Sequence, residues 1–386
     1  MPISFAPCYN ASMFRGFFKN VDWVLVASIV PILVAGLVTM SSFGADNTYF
    51  WKQLLWIGVA FFFCVIVSRI DARIFTKTNV LVGLYLFGCA VLVLVLIAGS
   101  TIKGATSWLD LGGFSLQPSD PMKIILILVL AKYLSRRHME IAHPKHILIT
   151  AAYLAVPFLL VFAQPDFGSA IIFGAIWFGM ILVAGISRKH LLLLAGLGLG
   201  AFFILWFFVF APYQKARIMN FIHPLSDIRG TGYNAYQSVI AVGSGQVMGK
   251  GLGYGTQSRL NFLPEYRTDF IFAAYAEEWG FIGSLLLLLF FGFLISRVLS
   301  LSQRGSSNFE ILFGVGVAIY FLSHTIINIG MNIGLMPVTG ITLPLMSYGG
   351  SHLIAEFLAL GILMSMRQSA RVAHKDDTRL EFLGLE

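Results

Sequence analysis

Long apolar runs separated by short polar breaks organise this chain. Ten of them fall at about 22–41, 51–69, 79–98, 121–135, 147–163, 168–186, 190–210, 270–297, 309–333 and 352–367. An α-helix needs roughly 20 such residues to cross a bilayer. The pattern predicts an all-α integral membrane fold of ten transmembrane helices, a single polytopic membrane domain over residues 1–386. The fourth run is short and opens at Pro121. A first helical turn tolerates proline, because the missing N–H would be unpaired there anyway.

Composition supports this reading. Of the 386 residues 58% are hydrophobic and only 11% charged, where soluble domains carry about a quarter charged. Too little polar surface remains to cover a globule, so the bilayer must act as solvent. The 35 phenylalanines suit lipid-facing surfaces and tight helix packing. The cysteines are Cys8, Cys64 and Cys89, two of them within apolar runs; no disulfide framework or metal-ligand spacing follows. Residues 1–20 place Arg15 and Lys19 ahead of the first run, like a signal-anchor. No convincing small-residue cleavage site follows, so the first span is expected to be retained.

The net charge of +8 raises the question of nucleic acid. Sidedness answers it. With the N-terminus inside, the inner segments hold Arg15, Lys19, Arg69, Arg73, Lys77, Lys132, Arg136, Arg137, Lys145, Arg188, Lys189, Arg297, Arg304, Arg367, Arg371, Lys375 and Arg379. The short outer segments hold only Lys52, Lys103 and Lys123, and the remaining cations lie in one long outer segment, to which the positive-inside rule gives little weight. The expected topology is N-in/C-in, with a long extracytoplasmic loop at about 211–269 between helices 7 and 8 and a cytoplasmic tail at about 368–386. The basic residues then determine topology, and no nucleic-acid partner is expected.

Three outer segments, 99–120, 211–269 and 335–351, exceed what helix packing requires. Loops on a rigid scaffold are where chemistry tends to sit. Asp120 and Lys123 lie three apart on one helical face; they read either as a helix start with a stabilising pair or as an ion pair lining a polar cavity, with Lys123 available to a phosphate. Asp166, after Gln164 and Pro165, reads as an N-cap or as a carboxylate at the outer edge of the bundle. Asp269 opens the eighth run after Glu265, Arg267 and Thr268; it reads as an N-cap or as a base placed to take a proton from a hydroxyl. Glu277 and Glu278 follow inside the span, where at least one acid should face a polar interior. Asn328, Asn332, Pro337, Thr339, Pro344, Ser347, Tyr348, Gly349, Gly350 and Ser351 suggest a backbone that bends back into the membrane, allowed only where buried in protein or lining a cavity. Residues 243–251 imitate a phosphate-binding loop, but Ser244 stands at the first glycine position and Gly251 replaces the hydroxyl residue after Lys250. No HExxH, GxSxG or paired metal motif occurs.

Together these segments resemble the SEDS family (shape, elongation, division, sporulation). The matching stretches are Trp108-Leu109-Asp110-Leu111-Gly112, Gln117-Pro118-Ser119, Gln164-Pro165-Asp166-Phe167-Gly168, Leu263-Pro264-Glu265 with Thr268-Asp269-Phe270, and Asn328-Ile329-Gly330-Met331-Asn332 through Ser347-Tyr348-Gly349-Gly350-Ser351. They follow family order over nearly the whole chain. Ile240-Ala241-Val242-Gly243-Ser244-Gly245 and Gly255-Thr256-Gln257-Ser258 look more like the RodA branch than the division branch, FtsW.

The resemblance implies a ten-helix peptidoglycan glycosyltransferase at the outer face of a bacterial cytoplasmic membrane. It would join lipid II units into glycan strands for cell elongation and shape, releasing undecaprenyl pyrophosphate, with a class B penicillin-binding protein and other elongation-complex proteins as partners. The family's essential acid matches Asp269, the expected general base of an inverting transfer. Its polar-cavity positions match Asp120, Lys123 and Asp166. Trp108, Glu265, Arg267, Thr268, Ser347 and Ser351 complete the expected substrate-binding set. Departure of pyrophosphate needs positive charge, for which Lys123 and Arg267 are candidates; a divalent cation (Mg or Mn) is the one candidate cofactor, with no ligand set read for it. This sequence departs from the family at Asp120, where Glu is usual, at Ser107, where a basic residue is usual and for which Lys103 is the possible substitute, at Arg267, where His is common, and at His352, where a small residue is usual. Two other functions fit the buried acids: a lipid II flippase, and a scaffold that only recruits a penicillin-binding protein.

Overall fold

The computed structural model describes residues 21–42, 47–102, 105–110, 112, 115–136, 144–224, 227, 230 and 232–383. The described chain is almost entirely helical. Helices α1 (Trp23–Ser42), α2 (Thr48–Val67) and α3 (Thr78–Ala98) come first. A small antiparallel sheet follows, of strands β1 (Ser100–Ile102), β2 (Ala105–Asp110) and β3 (Ser115–Leu116) in the order β1-β2-β3. Then come α4 (Ser119–Ser135), α5 (Pro144–Ala163), α6 (Phe167–Ala184) and α7 (Arg188–Ile204), the last continuing as a π-helical turn over Leu205–Val209. Helices α8 (Pro212–Ile222) and α9 (Tyr233–Ser244) occupy the long loop. Helices α10 (Ile271–Ser302), α11 (Asn308–Asn332) and α12 (Gly350–Leu383) complete the chain.

Among the described residues eight helices are long and apolar enough to cross a membrane: α1, α2, α3, α5, α6, α7 with its π-helical turn, α10 and α11. The two remaining runs, expected as spans four and ten, became α4 and α12. Both are central rather than lipid-facing. Helix α4 packs against α3, α5, α6, α11 and α12, and α12 lies along α2. A helix enclosed by other helices need not be uniformly apolar. That is why Asp120 and Lys123 on α4, and His352 and Glu356 on α12, are tolerated there, all of them buried.

The ends of the helices follow from local chemistry. Asp166 Oδ1 accepts from Ser169 N at 2.9 Å and caps α6, and Gly185 ends that helix in a left-handed conformation at φ 100°. Ser307 caps α11 by accepting from Glu310 N. At the end of the bundle holding the starts of α1 and α11, Asp22 is clamped by two arginines. Arg297 of α10 reaches it at 2.7 Å, and Arg367 of α12 also pairs with it. Three helices distant in sequence are thereby tied to one buried carboxylate.

The small sheet leaves no mark in the pattern of apolar and polar positions. Its strands are two to six residues long, too short for a two-residue alternation to stand out. It is moored at Ser107, whose Oγ donates to Gln164 O at 3.4 Å.

Candidate active site

Asp269 ends a tight turn that runs from Pro264. Glu265 sits at φ 57°, a region that costs a residue with a side chain. Its carbonyl accepts from Thr268 N at 3.1 Å and Phe270 N at 3.2 Å, and its Oε2 accepts from Thr268 Oγ1 at 3.0 Å. Phe270, not Asp269, is the N-cap of α10. The first turn of that helix is served from α11, where Asn332 Oδ1 accepts from Ala273 N at 3.1 Å. Asn332 Nδ2 and Asn328 Nδ2 both donate to Asp269 O, at 3.1 and 3.0 Å. Two fully buried asparagines one helical turn apart therefore fix the backbone that carries this acid.

The loop between α11 and α12 closes over the same point. Asn328 Nδ2 also donates to Ile341 O at 2.7 Å. Gly340 has φ 77°, and a Cβ built there would lie 3.6 Å from Asp269 Oδ2, so a side chain at this position would meet the carboxylate. On its other side the loop meets α6 and α8. Thr339 O would be 2.7 Å from a Cβ at Gly168, and it accepts from Arg217 Nη1 at 3.4 Å. Ser347 Oγ donates to Thr268 O at 2.7 Å, and Tyr348 N donates to Arg267 O at 2.9 Å. The Arg267 guanidinium lies over the rings of Tyr49 at 4.1 Å and Tyr266 at 4.7 Å. Burial raises the pKa of the Tyr266 phenol against the opposing pull of Arg267.

Asp120 and Lys123 form a second group. Lys123 Nζ donates to Asp120 Oδ1 at 3.0 Å, and the two residues are only 2% and 3% exposed, so the ion pair is sealed. Ser351 Oγ lies 3.4 Å from Asp120 Oδ2, and His352 Nδ1 lies 3.4 Å from Oδ1. His352 Nε2 is 3.0 Å from Glu356 Oε1, and Glu356 Oε2 accepts from Leu345 N at 3.0 Å. Asp166 joins this group by a short chain. Its Oδ2 accepts from Gln117 Nε2 at 2.9 Å, and Ser119 Oγ lies 3.4 Å from Ser169 Oγ. The loop from Pro337 to Tyr348 thus touches both groups, through Gly340 on one side and Leu345 on the other.

A family model described as "Cell cycle protein", FtsW/RodA/SpoVE, matches residues 17–372. The chain belongs to the FtsW/RodA/SpoVE family. It is 36% identical over 360 residues to a peptidoglycan glycosyltransferase MrdB of Escherichia coli strain K12, covering 92% of this chain and 96% of that one. It is 34% identical over 376 residues to a probable peptidoglycan glycosyltransferase FtsW of Thiomicrospira cyclica, covering 94% and 95%. A solved structure described as "Structural coordination of polymerization and crosslinking by a peptidoglycan synthase complex" superposes at a TM-score of 0.78. It shares 29% identity and covers 90% of this chain and 98% of its own.

Within this FtsW/RodA/SpoVE frame the remaining expected residues take definite places. Trp108 lies half-buried on β2, where its carbonyl accepts from Ser100 Oγ at 3.1 Å. Ser107 moors the sheet to Gln164. Lys103 lies outside the described residues. Among the described residues no group of three or more His, Cys, Asp or Glu is arranged to hold a metal ion.

Glu277 and Glu278 prove to be anchors. Glu277 accepts from Lys250 Nζ at 2.8 Å and Gln257 N at 3.0 Å; Glu278 accepts from Gly253 N at 2.6 Å and Ser42 Oγ at 3.0 Å. The glycine-rich segment that imitates a phosphate loop is the other half of this clasp. A Cβ at Gly245 or Gly249 would come within 2.0 Å of the α10 carbonyls of Ala276 or Glu278. Its glycines serve backbone-on-backbone packing.

Four contributors escaped sequence reading. Gln53, 1% exposed, donates to Ser347 O at 3.1 Å. Glu356 holds Leu345, Arg217 holds Thr339, and Tyr49 carries Arg267. Only Glu356 offered a signal, as a carboxylate inside an apolar run.

Proposed function

We propose that this chain is a peptidoglycan glycosyltransferase of the RodA branch, polymerising lipid II at the outer face of a bacterial cytoplasmic membrane. The names of its relatives support the activity. The closure of the α11–α12 loop over a doubly clamped Asp269 is the observation that carries the assignment of the base. In this reading α4 and α12 complete ten spans in one polytopic domain with both termini inside, and the starts of α4, α6 and α10 face outward.

The Asp269 carboxylate takes the proton from the 4-hydroxyl of an acceptor lipid II. That oxygen attacks the anomeric carbon of the growing strand, whose bond to undecaprenyl pyrophosphate breaks, and the diphosphate leaves with the bonding electrons. A single displacement inverts an α-linked donor to a β-linked product, so no protein nucleophile is needed. Charge on the departing diphosphate is met by Arg217 and Arg267, which flank the loop over Asp269. Lys123, held by Asp120, acts by fixing α4 against α12. Trp108, Glu265, Thr268, Ser347 and Ser351 shape the substrate's surroundings. The solved complex named for polymerisation and crosslinking supports a class B penicillin-binding protein as partner.

The test is glycan formation from lipid II by purified protein in detergent, where no second compartment exists. The parent makes strands, and Asp269→Asn loses about 10²–10⁴-fold in rate, as for a general base. A flippase would leave lipid II unpolymerised, and a scaffold would be indifferent to the substitution.

A further inference from the structure

The described residues enclose a cavity of about 480 Å³ between α3, α4 and α5, at the end of α4 remote from Asp120. This lies within the range of small-ligand pockets, about 300–1,000 Å³. Two of its lining residues are cations, Lys132 and Arg136, four apart on one face of α4. None of its described lining residues is acidic. Like charges at this spacing repel by a few tenths of a kcal/mol, a cost that a bound anion would remove. Lys132 is half-buried and Arg136 exposed at the rim.

The rest of the lining is apolar or aromatic. Val82 and Leu86 of α3 are 50% and 61% exposed and open one wall toward the bilayer. The opposite wall is rigid. Tyr85 OH donates to Tyr153 O at 2.8 Å, and Tyr133 OH lies 2.8 Å from His146 Nδ1. A cavity with two cations at its rim and an aliphatic wall open to lipid matches an amphiphile carrying one anionic headgroup. Charge sidedness puts this end of α4 at the inner leaflet, where basic pockets between membrane helices take anionic headgroups.

We infer that this cavity is a binding site for an anionic phospholipid of the inner leaflet, its headgroup phosphate on Lys132 and Arg136 and an acyl chain along Val82 and Leu86. The inference rests on the inside placement of the α4 C-terminus and is independent of the chemistry at Asp269. It has a consequence for the other end of the helix. Lys132 is nine residues from Lys123, about 14 Å along the axis, so an occupied cavity braces the helix that carries the buried ion pair.

The test uses the full chain in a neutral detergent, titrated with dioleoyl phosphatidylglycerol or dioleoyl phosphatidylcholine and read by native mass spectrometry. Phosphatidylglycerol is expected to bind well ahead of phosphatidylcholine. The double variant Lys132→Gln with Arg136→Gln should weaken phosphatidylglycerol about thirtyfold, at about 1 kcal/mol per cation, and leave phosphatidylcholine unchanged. Removing two other inner cations, by Arg188→Gln with Lys189→Gln, should change neither. Val82→Trp, which fills the lipid-facing wall and keeps both charges, should also weaken phosphatidylglycerol at least tenfold, and it decides the matter if the double variant does not fold. Equal binding of the two lipids, undiminished binding by either cavity variant, or displacement by excess inorganic phosphate would overturn the assignment, the last pointing to a simple ion site.

Discussion

Asp120 and Asp269 are the same residue type at the same end of the bundle, and the protein treats them in opposite ways. Asp120 is 3% exposed, with Lys123, Ser351 and His352 around its two oxygens. Asp269 is half-buried, and its carbonyl accepts from Asn328 and Asn332 of α11. Its carboxylate faces a glycine turn that also touches α6 and Arg217. A carboxylate locked into an ion pair serves packing. In the proposed reading the second carboxylate, on a main chain fixed from α11, is the one that takes the proton.

The sharpest way to break this contrast is to neutralise each site and read activity and stability together. Asp269→Asn should cost about 10²–10⁴-fold in glycan synthesis and leave the thermal midpoint in detergent near that of the parent. Lys123→Ala should do the reverse in emphasis. It strands a buried carboxylate, a change worth roughly 3–5 kcal/mol of stability, so the midpoint should fall steeply. If Lys123→Ala kept the parent's thermal midpoint and lost only activity, Lys123 would have to be returned to the diphosphate.

This contrast was only half legible beforehand. The apolar runs marked every long helix, because a bilayer imposes its thickness on sequence. Asp166 could be read as an N-cap from its place between two runs, and it is one. The spacing of Asp120 and Lys123 gave their ion pair, since i,i+3 partners are local. What spacing could not give was whether that pair is sealed, because the seal comes from Ser351, His352 and Glu356, more than 200 residues away in the chain. The same limit hid the Glu277–Lys250 clasp. It also hid the isolation of α7, which looks like any other span in sequence yet buries none of its apolar window. Partners distant in sequence decide which buried charges are structural.

Removing the asparagine clamp should fall between the two effects above. Asn332→Ala removes donors to Asp269 O and Asn328 O, and acceptors for Ala273 N and Ser238 Oγ. Leaving such buried groups unpaired costs about 1–3 kcal/mol each at most sites, partly relieved by water at this loop-rich end. Stability should drop by about 2–3 kcal/mol. Glycan synthesis should fall as well, because a base displaced by about 1 Å loses on the order of 10²-fold. A variant that lost stability but kept the parent's rate would show that the clamp holds the helices and not the acid.

The smallest expected effect concerns two departures from the family pattern that turn out to be neighbours. The resemblance implies Glu at the position of Asp120 and a small residue at that of His352. In the structure His352 Nδ1 approaches Asp120 Oδ1 to 3.4 Å, and both are buried. The shorter acid and the larger neighbour therefore share one volume. Asp120→Glu adds a methylene to a filled interior, which typically costs about 1–3 kcal/mol, and should lower the thermal midpoint with little change in rate. His352→Ser alone removes the imidazole beside Asp120 and Glu356 and should also destabilise. Combined, the substitutions place a longer acid beside a smaller neighbour, and the double variant should be more stable than the sum of the single losses. A coupling of about 0.5–3 kcal/mol is the range for residues in direct contact. Strict additivity would mean that the two positions changed independently and that the sealed character of Asp120 does not depend on His352.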